Sequence, residues 1–209
     1  METLGREDIE RLMFFEQARE HAEREYKANN KDAMALTKWG GALLELAHFR
    51  QGGEAYEMIE DAIEKFEKAL LIDSKRHDAL WCLGNAYTSQ GFLSGDASSA
   101  EGFFSKAGDC FQKAVDQEPA NESYKRALEM SSKAPQLYEE LQRQLQAAGA
   151  SLGSPRGGEG SGSAGGRGGG GMKQEPLVSD FWYDVGGWVA LVALGFGIVA
   201  LSRTGAAST

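Results

Sequence analysis

Apolar residues recur with helical spacing along most of the first three quarters of the chain. In residues 7–27 they fall at intervals that place them along one face of a helix, which ends at Asn29–Asn30. Two further helices are predicted after Pro119. One covers residues 121–133 with Asn121 as its cap, and the other covers residues 135–149. The stripe of the first helix consists of Ile9, Leu12, Met13, Ala18, Ala22 and Tyr26.

Between these flanking helices, two helical patterns occur twice in the same order. Residues 36–43 align with residues 80–87 at an offset of 44, with matching Leu, Gly and Ala. Residues 62–70 align with residues 107–115 at an offset of 45, with matching Ala, Phe and Lys. The chain therefore contains a duplicated helical hairpin, which is typical of proteins that stack such units side by side.

The second copy carries the letters of the tetratricopeptide (TPR) pattern. Residues 83–87 and Gln90–Gly91 match its first helix and turn, and its second helix and terminator are matched by Ala107, Phe111, Ala114 and Pro119. The pattern predicts that the two helices touch where Gly84 and Ala107 are small, with Tyr87 and Phe111 filling the space beside them. A generic helical hairpin without TPR geometry is the alternative interpretation.

Both copies are about ten residues longer than the usual period of ~34 residues. The excess lies between the small residues of the two helices, in residues 50–57 of the first copy and 92–103 of the second. Extended helices or long turns would accommodate it, and Gly52–Gly53 and Gly95 mark the expected breaks.

These patterns predict an all-α fold: a TPR-like helical repeat domain of two extended hairpins with flanking helices, followed by one C-terminal transmembrane helix. The predicted domain covers residues 1–148. Residues 149–176 are predicted to be a flexible linker, and 12 of its first 24 residues are glycines. Such a segment contains too few apolar residues to offset the conformational entropy that ordering would cost. Residues 177–209 are predicted to be a tail anchor.

The anchor prediction depends on a run of 17 uncharged residues, Val185–Leu201, preceded by an aromatic cluster at Phe181–Tyr183. With that cluster the span, about residues 182–201, is roughly 30 Å long as a helix, which matches one hydrocarbon core. Trp and Tyr prefer the membrane boundary. The alternative, a buried helix of a soluble domain, is disfavoured by the glycine-rich separation.

The acidic charge of the chain lies in its first part. Through residue 150 there are 18 Lys and Arg residues against 27 Asp and Glu residues, and the formal net charge is −9. Such a domain repels nucleic acid and anionic lipid, so no nucleic-acid partner is expected and a basic partner suits it better. A solvated acidic surface that only maintains solubility is the alternative.

No pattern indicates catalysis, a cofactor or a metal. Cys82 and Cys110 have neither CxxC spacing nor a neighbouring histidine cluster, and both are expected to be buried thiols. The three histidines, His21, His48 and His77, fall in different predicted helices. We therefore expect no enzyme activity. The function that these patterns favour is the recognition of a peptide or a helix by a concave helical surface.

The TPR register predicts which residues face the concave surface of the stack. The predicted peptide-binding residues are Met34, Thr37, Gly41, Leu44, Trp81, Asn85 and Thr88. This face is apolar with acidic edges and lacks the Lys and Arg residues of a clamp for peptide carboxylates. It suits amphipathic basic helices, although Met34, Leu44 and Trp81 could equally serve packing between repeats.

Together with these features, four short segments and the C-terminal anchor resemble one family, the plant twenty-kilodalton import receptor of the mitochondrial outer-membrane translocase. The resemblance covers about residues 5–148 and 177–205. The segments are Lys68–Asp73, Trp81–Ser89, Leu128–Met130 and Lys133–Leu137.

The resemblance implies a receptor with its N-terminal domain in the cytosol, held by a single pass in the mitochondrial outer membrane. Its expected partners are mitochondrial presequences, other translocase subunits and the lipid bilayer, with no cofactor. It would pass presequences of nuclear-encoded precursors to the translocase pore. The alternative is a tail-anchored TPR scaffold, such as a mitochondrial fission adaptor or an organellar co-chaperone docking protein.

Overall fold

The computed structural model describes residues 5–152, with side chains to residue 147, and within this range it is entirely helical. The all-α prediction is therefore confirmed for this part of the chain. The seven helices are α1 (Arg6–Ala28), α2 (Ala33–Ala47), α3 (Gly53–Ile72), α4 (His77–Leu93), α5 (Ala97–Gln117), α6 (Glu122–Ser131) and α7 (Ala134–Leu152).

Consecutive helices pack against each other from α1 to α6, and α2 also touches α4. The closest associations are the pairs α2–α3 and α4–α5, which are the two predicted hairpins. Ion pairs from Lys38 to Glu25 and from Arg11 to Glu45 show that α1 runs antiparallel to α2. The result is a stack of helices in chain order.

Side-chain caps define several of the helix starts. Asp32 accepts a hydrogen bond from the Ala35 backbone N–H at 3.0 Å, and Asp96 accepts one from Ser99 at 2.8 Å. The predicted cap Asn121 accepts from Ser123 and Tyr124 backbone N–H groups at 3.0 and 3.3 Å. Each bond satisfies an N–H group that the first turn of a helix leaves without an intrahelical partner.

Three close contacts between a glycine and a phenylalanine ring hold the hairpins together. A Cβ atom placed on Gly40 would lie 2.7 Å from the ring of Phe66, and one on Gly84 would lie 2.6 Å from the ring of Phe111. The predicted contact of the two helices at Gly84 is thus observed, and the first copy repeats it. Both rings are buried, Phe66 completely.

The third contact corrects one feature of the TPR alignment. Gly91, which the alignment placed in the turn, is buried within α4, and a Cβ there would lie 2.5 Å from the ring of Phe104. The helix continues to Leu93, and this ring contact packs its last turn against α5. The additional residues of each copy therefore lengthen helices: α3 has 20 residues and α5 has 21, joined to their partners by short loops.

The flanking helices close the stack at both ends. Tyr138 of α7 is buried against Phe92 and Phe104, and its hydroxyl donates to the Ser94 carbonyl at 2.8 Å. Helix α7 continues to Leu152, past the predicted domain end at residue 148. At the other end, Tyr26 of α1 packs near Trp39, with ring centres 6.2 Å apart.

Within residues 5–152, no helix combines the length and the apolar character needed to cross a bilayer. The predicted transmembrane span at about residues 182–201 and the predicted linker from residue 153 onward lie outside the described residues.

Candidate functional site

An open cavity of about 410 Å³ lies between α1 and α2. Its lining is mainly apolar and includes one carboxylate. Helix α1 contributes one residue from each of three successive turns, and α2 contributes the opposite wall. The lining residues are Phe15, Ala18 and His21 from α1, with Lys38, Gly41, Ala42 and Glu45 from α2.

The cavity stays open because three of its lining residues are small. Ala18 lines the cavity from α1, and the adjacent residues Gly41 and Ala42 line it from α2. A Cβ atom on Gly41 would meet nothing within 4 Å, whereas its neighbour Gly40 is pressed against Phe66. Glycine in a helix interior costs about 1 kcal/mol relative to alanine. Packing explains that cost at Gly40 but not at Gly41, which singles out Gly41 as a candidate functional residue.

Charged groups surround the cavity in pairs. Glu45 Oε2 lies 3.6 Å from Arg11 Nη2, across the gap between the helices. Glu25 accepts a hydrogen bond from Lys38 Nζ at 3.2 Å and lies 3.5 Å from His21 Nδ1. Glu45 is the carboxylate that lines the cavity itself, and its side chain is 24% exposed.

Burial changes the proton affinity of two groups at this end of α2. Desolvation raises the pKa of Glu45, an effect that the nearby Arg11 opposes. Desolvation, assisted by the charge of Arg11, lowers the pKa of His48 to about 4. At neutral pH the imidazole is therefore uncharged, and the cation facing Glu45 is Arg11.

An exposed aromatic residue extends the apolar surface along α1. Phe14 is exposed and packs edge-on against Phe15, with ring centres 5.2 Å apart. Phe14, Ala18 and His21 follow the helical spacing of three and four residues and so share one face of α1. That face leads into the cavity.

The predicted residues of α2 are distributed between surface and core. Met34 is exposed and Gly41 lines the cavity. Thr37 is 7% exposed, and its hydroxyl donates to the Ala33 carbonyl at 2.8 Å while accepting from Arg76 Nε at 3.1 Å. Leu44 is 2% exposed within the central core. A bound peptide would reach neither Thr37 nor Leu44 in this conformation.

The predicted residues of α4 are half-buried and do not line the cavity. Trp81 packs beside Tyr124 of α6, with ring centres 6.0 Å apart, and its indole N–H is buried without a hydrogen-bond partner. Thr88 donates to the Gly84 carbonyl of its own helix at 2.8 Å. Asn85 lies one turn beyond Trp81 and is half-buried. Tyr124 of α6 thus covers one side of Trp81.

The sequence prediction missed the contribution of α1. Phe15, Ala18 and His21 are not among the predicted peptide-binding residues, because the TPR register predicts only positions within the two hairpins. The available signal is the pair of small residues, Ala18 and Ala22, in a stripe that is otherwise bulky. Small residues in a helical stripe mark either close helix contact or open space, and the sequence does not distinguish these two possibilities.

The described residues contain no group of three or more His, Cys, Asp or Glu side chains arranged to hold a metal ion. Burial raises the pKa of the Cys110 thiol to about 11 and that of Cys82 to about 12. Both thiols are protonated at neutral pH, which makes them poor nucleophiles.

Comparison with known proteins shows the family of the chain. The family described as plant specific mitochondrial import receptor subunit TOM20 matches residues 9–203. Mitochondrial import receptor subunit TOM20-3 of Arabidopsis thaliana is 44% identical over 193 residues, covering 92% of this chain and 90% of the relative. TOM20-4 of the same plant is 45% identical over 184 residues, covering 88% and 87%.

A third relative, TOM20-2 of Arabidopsis thaliana, is 44% identical over 194 residues, covering 92% of this chain and 90% of its own length. These similarities confirm the family resemblance and do not favour the adaptor alternative. The chain belongs to the plant-specific mitochondrial import receptor family TOM20.

Proposed function

We propose that this import receptor binds the amphipathic, basic presequences of nuclear-encoded mitochondrial precursors, and that the cavity between α1 and α2 is part of the binding site. The observation that carries the proposal is an open, largely apolar cavity of about 410 Å³ with the Glu45 carboxylate in its lining. Its volume is within the ~300–1,000 Å³ range of ligand pockets. An amphipathic helix can place apolar side chains in it and a basic side chain at Glu45.

The rest of the surface supports a basic ligand. The chain carries a net charge of −9, which draws cationic peptides toward it and speeds their encounter. Phe14 and Met34 add exposed apolar surface on the two helices that form the cavity. Gly41, Met34, Asn85, Thr88 and Trp81 remain proposed contacts, while Thr37 and Leu44 support the site from below.

The architecture and topology complete the proposal. The two hairpins are of the TPR type, with helices lengthened beyond the usual repeat, and the C-terminal segment anchors the receptor in the mitochondrial outer membrane by a single pass. The helical domain then faces the cytosol, where precursors arrive, and passes them to other subunits of the translocase. The acidic domain and the apolar run at residues 185–201 support this arrangement.

A peptide series tests the binding mode. We expect a synthetic presequence-like helix with leucines on one face and arginines on the other to bind the full chain with a dissociation constant on the order of micromolar, typical of transient contacts. Changing its leucines to alanine should weaken binding more than changing its arginines to glutamine, because the cavity buries apolar surface. Isothermal titration calorimetry measures both losses, and a greater loss from the arginine changes would contradict the apolar mechanism.

A pair of glycine variants locates the site in the same titrations. Gly41→Leu fills the cavity and should weaken binding at least tenfold. Gly102→Leu is the matched control, because Gly102 also lies within a helix and a Cβ there meets nothing within 4 Å, on the exposed surface of α5. Equal affinities for the two variants would place the peptide elsewhere.

The membrane assignment has its own test. A fluorescent protein fused upstream of residues 172–209 should label the mitochondrial outer membrane in plant cells, because this part of the chain contains the whole predicted anchor. The fluorescent protein should be accessible to protease in intact mitochondria. Labelling of the endoplasmic reticulum or the chloroplast envelope would contradict the assignment, and the same fusion lacking residues 182–201 should remain in the cytosol.

A further inference from the structure

We propose that Arg11 occupies, in the free receptor, the position that a basic side chain of the presequence takes when it binds, so that binding exchanges one cation for another at Glu45. This inference depends on the proposed function, since it concerns the same cavity. It adds a residue of the receptor that competes with its own ligand.

The geometry of the Arg11–Glu45 pair is that of a loose contact. The nearest nitrogen–oxygen distance is 3.6 Å, longer than the ~2.7–2.9 Å of a charge-assisted hydrogen bond. The Arg11 side chain is 53% exposed, and its guanidinium carbon lies 5.9 Å from the centre of the Phe49 ring. Arg11 can therefore leave Glu45 without breaking a buried network.

Glu45, in contrast, needs a positive neighbour. Its side chain is mostly withdrawn from solvent, and a desolvated carboxylate without a partner is unfavourable. His48 lies 3.8 Å away, but burial lowers its pKa to about 4 and leaves it neutral. Lys38, the cavity's own lysine, is paired with Glu25 at 3.2 Å. Among the described ion pairs of Glu45, Arg11 therefore supplies the charge.

An incoming arginine or lysine meets this arrangement as a competitor. It gains the Glu45 carboxylate only if Arg11 releases it, and it experiences the repulsion of Arg11 until then. Loss of the Arg11–Glu45 ion pair therefore offsets part of the free energy gained when the ligand's cation pairs with Glu45. The exchange limits affinity and favours rapid release, which suits a receptor that must pass its cargo onward.

The test measures a basic presequence-like peptide binding to the full chain in phosphatidylcholine nanodiscs, which carry no net charge. Removing the internal competitor with Arg11→Gln should tighten binding by roughly 2- to 5-fold, the effect of losing one partly exposed charge pair. Arg6→Gln is the matched control. It makes the same charge change on the same helix, but its partner Glu10, 2.9 Å away, lies on the exposed surface.

Two further measurements complete the experiment. Glu45→Gln should weaken binding, and Arg11→Gln in the Glu45→Gln background should produce no tightening, because the exchange then has no carboxylate. A peptide in which the arginines are replaced by glutamines should bind the Arg11→Gln variant and the wild-type chain with equal affinity. If the Arg11→Gln and Arg6→Gln variants bind the peptide with equal affinity while Glu45→Gln weakens binding, the proposed cation exchange is wrong and the proposed function stands. If the wild-type chain does not bind the peptide, the proposed function itself is wrong.

Discussion

Gly40→Ala is expected to destabilise the helical domain by about 1–3 kcal/mol, whereas Gly41→Ala should stabilise it by up to about 1 kcal/mol. The two glycines are neighbours in α2 and differ only in what surrounds them. A Cβ on Gly40 would lie 2.7 Å from the buried ring of Phe66, which has no room to move, and one on Gly41 would enter open space. Urea unfolding followed by circular dichroism measures both changes.

The cause of the Gly40 effect can be separated from helix propensity. Combining Gly40→Ala with Phe66→Leu should cost less than the sum of the two single changes, because the smaller side chain makes room for the new methyl group. Simple additivity, or equal stability of the Gly40 and Gly41 variants, would contradict the ring contact. The same clash exists at Gly84 against Phe111, so Gly84→Ala should repeat the loss.

The second large effect is acid sensitivity arising from His48. Its pKa is lowered to about 4 in the folded chain by burial and by the charge of Arg11, from a model-peptide value near 6.5. The unfolded chain therefore binds a proton at this residue before the folded chain does. The resulting stability is present above pH 6.5 and is lost as the pH falls toward 4, by roughly 3 kcal/mol in total.

His48→Gln should remove this part of the pH dependence. The free energy of unfolding, measured in urea from pH 7 to pH 4, should fall less steeply for the variant than for the wild-type chain. Glu45 acts in the opposite sense, because its pKa is raised and its burial is less unfavourable at low pH, but both proteins contain it. His21→Gln, which removes an exposed histidine, is the control. Parallel curves for His48→Gln and the wild-type chain would contradict the assignment.

Much of the helical framework could be predicted because it depends on local interactions. The signals that define these helices act within one or two turns: apolar spacing of three and four residues, caps such as Asn121 and breaks near Gly52. Because the interacting residues are close together in the sequence, the sequence pattern is sufficient to predict them. The duplication predicted the two hairpins, and the glycine and phenylalanine of each copy indicated where the helices meet. The predicted first helix, residues 7–27, differs from α1 by one residue at each end.

The candidate site was less predictable, because its residues belong to helices whose mutual arrangement the periodicity does not describe. Leu44 and Thr37 share a helical face with Gly41, yet α2 is covered on several sides, and the first two residues are buried. Ile9 and Met13 continue the apolar stripe of α1 but remain exposed, since α1 has 23 residues and α2 only 15. A stripe indicates which face of a helix is apolar, and the length of the neighbouring helix decides whether that face is covered.

By itself, the sequence determined the all-helical fold, the duplicated hairpin, the acidic character and the family, because these depend on local spacing, composition and residue identity. Only the tertiary structure decided that the Phe66 ring occupies the space beside Gly40, whereas Gly41 lines an open cavity. It also decided that α1 forms a wall of that cavity and that Arg11 faces Glu45. The physical reason is that these properties depend on distances between helices far apart in the chain. Side-chain volume and charge set those distances jointly, and no single segment contains them.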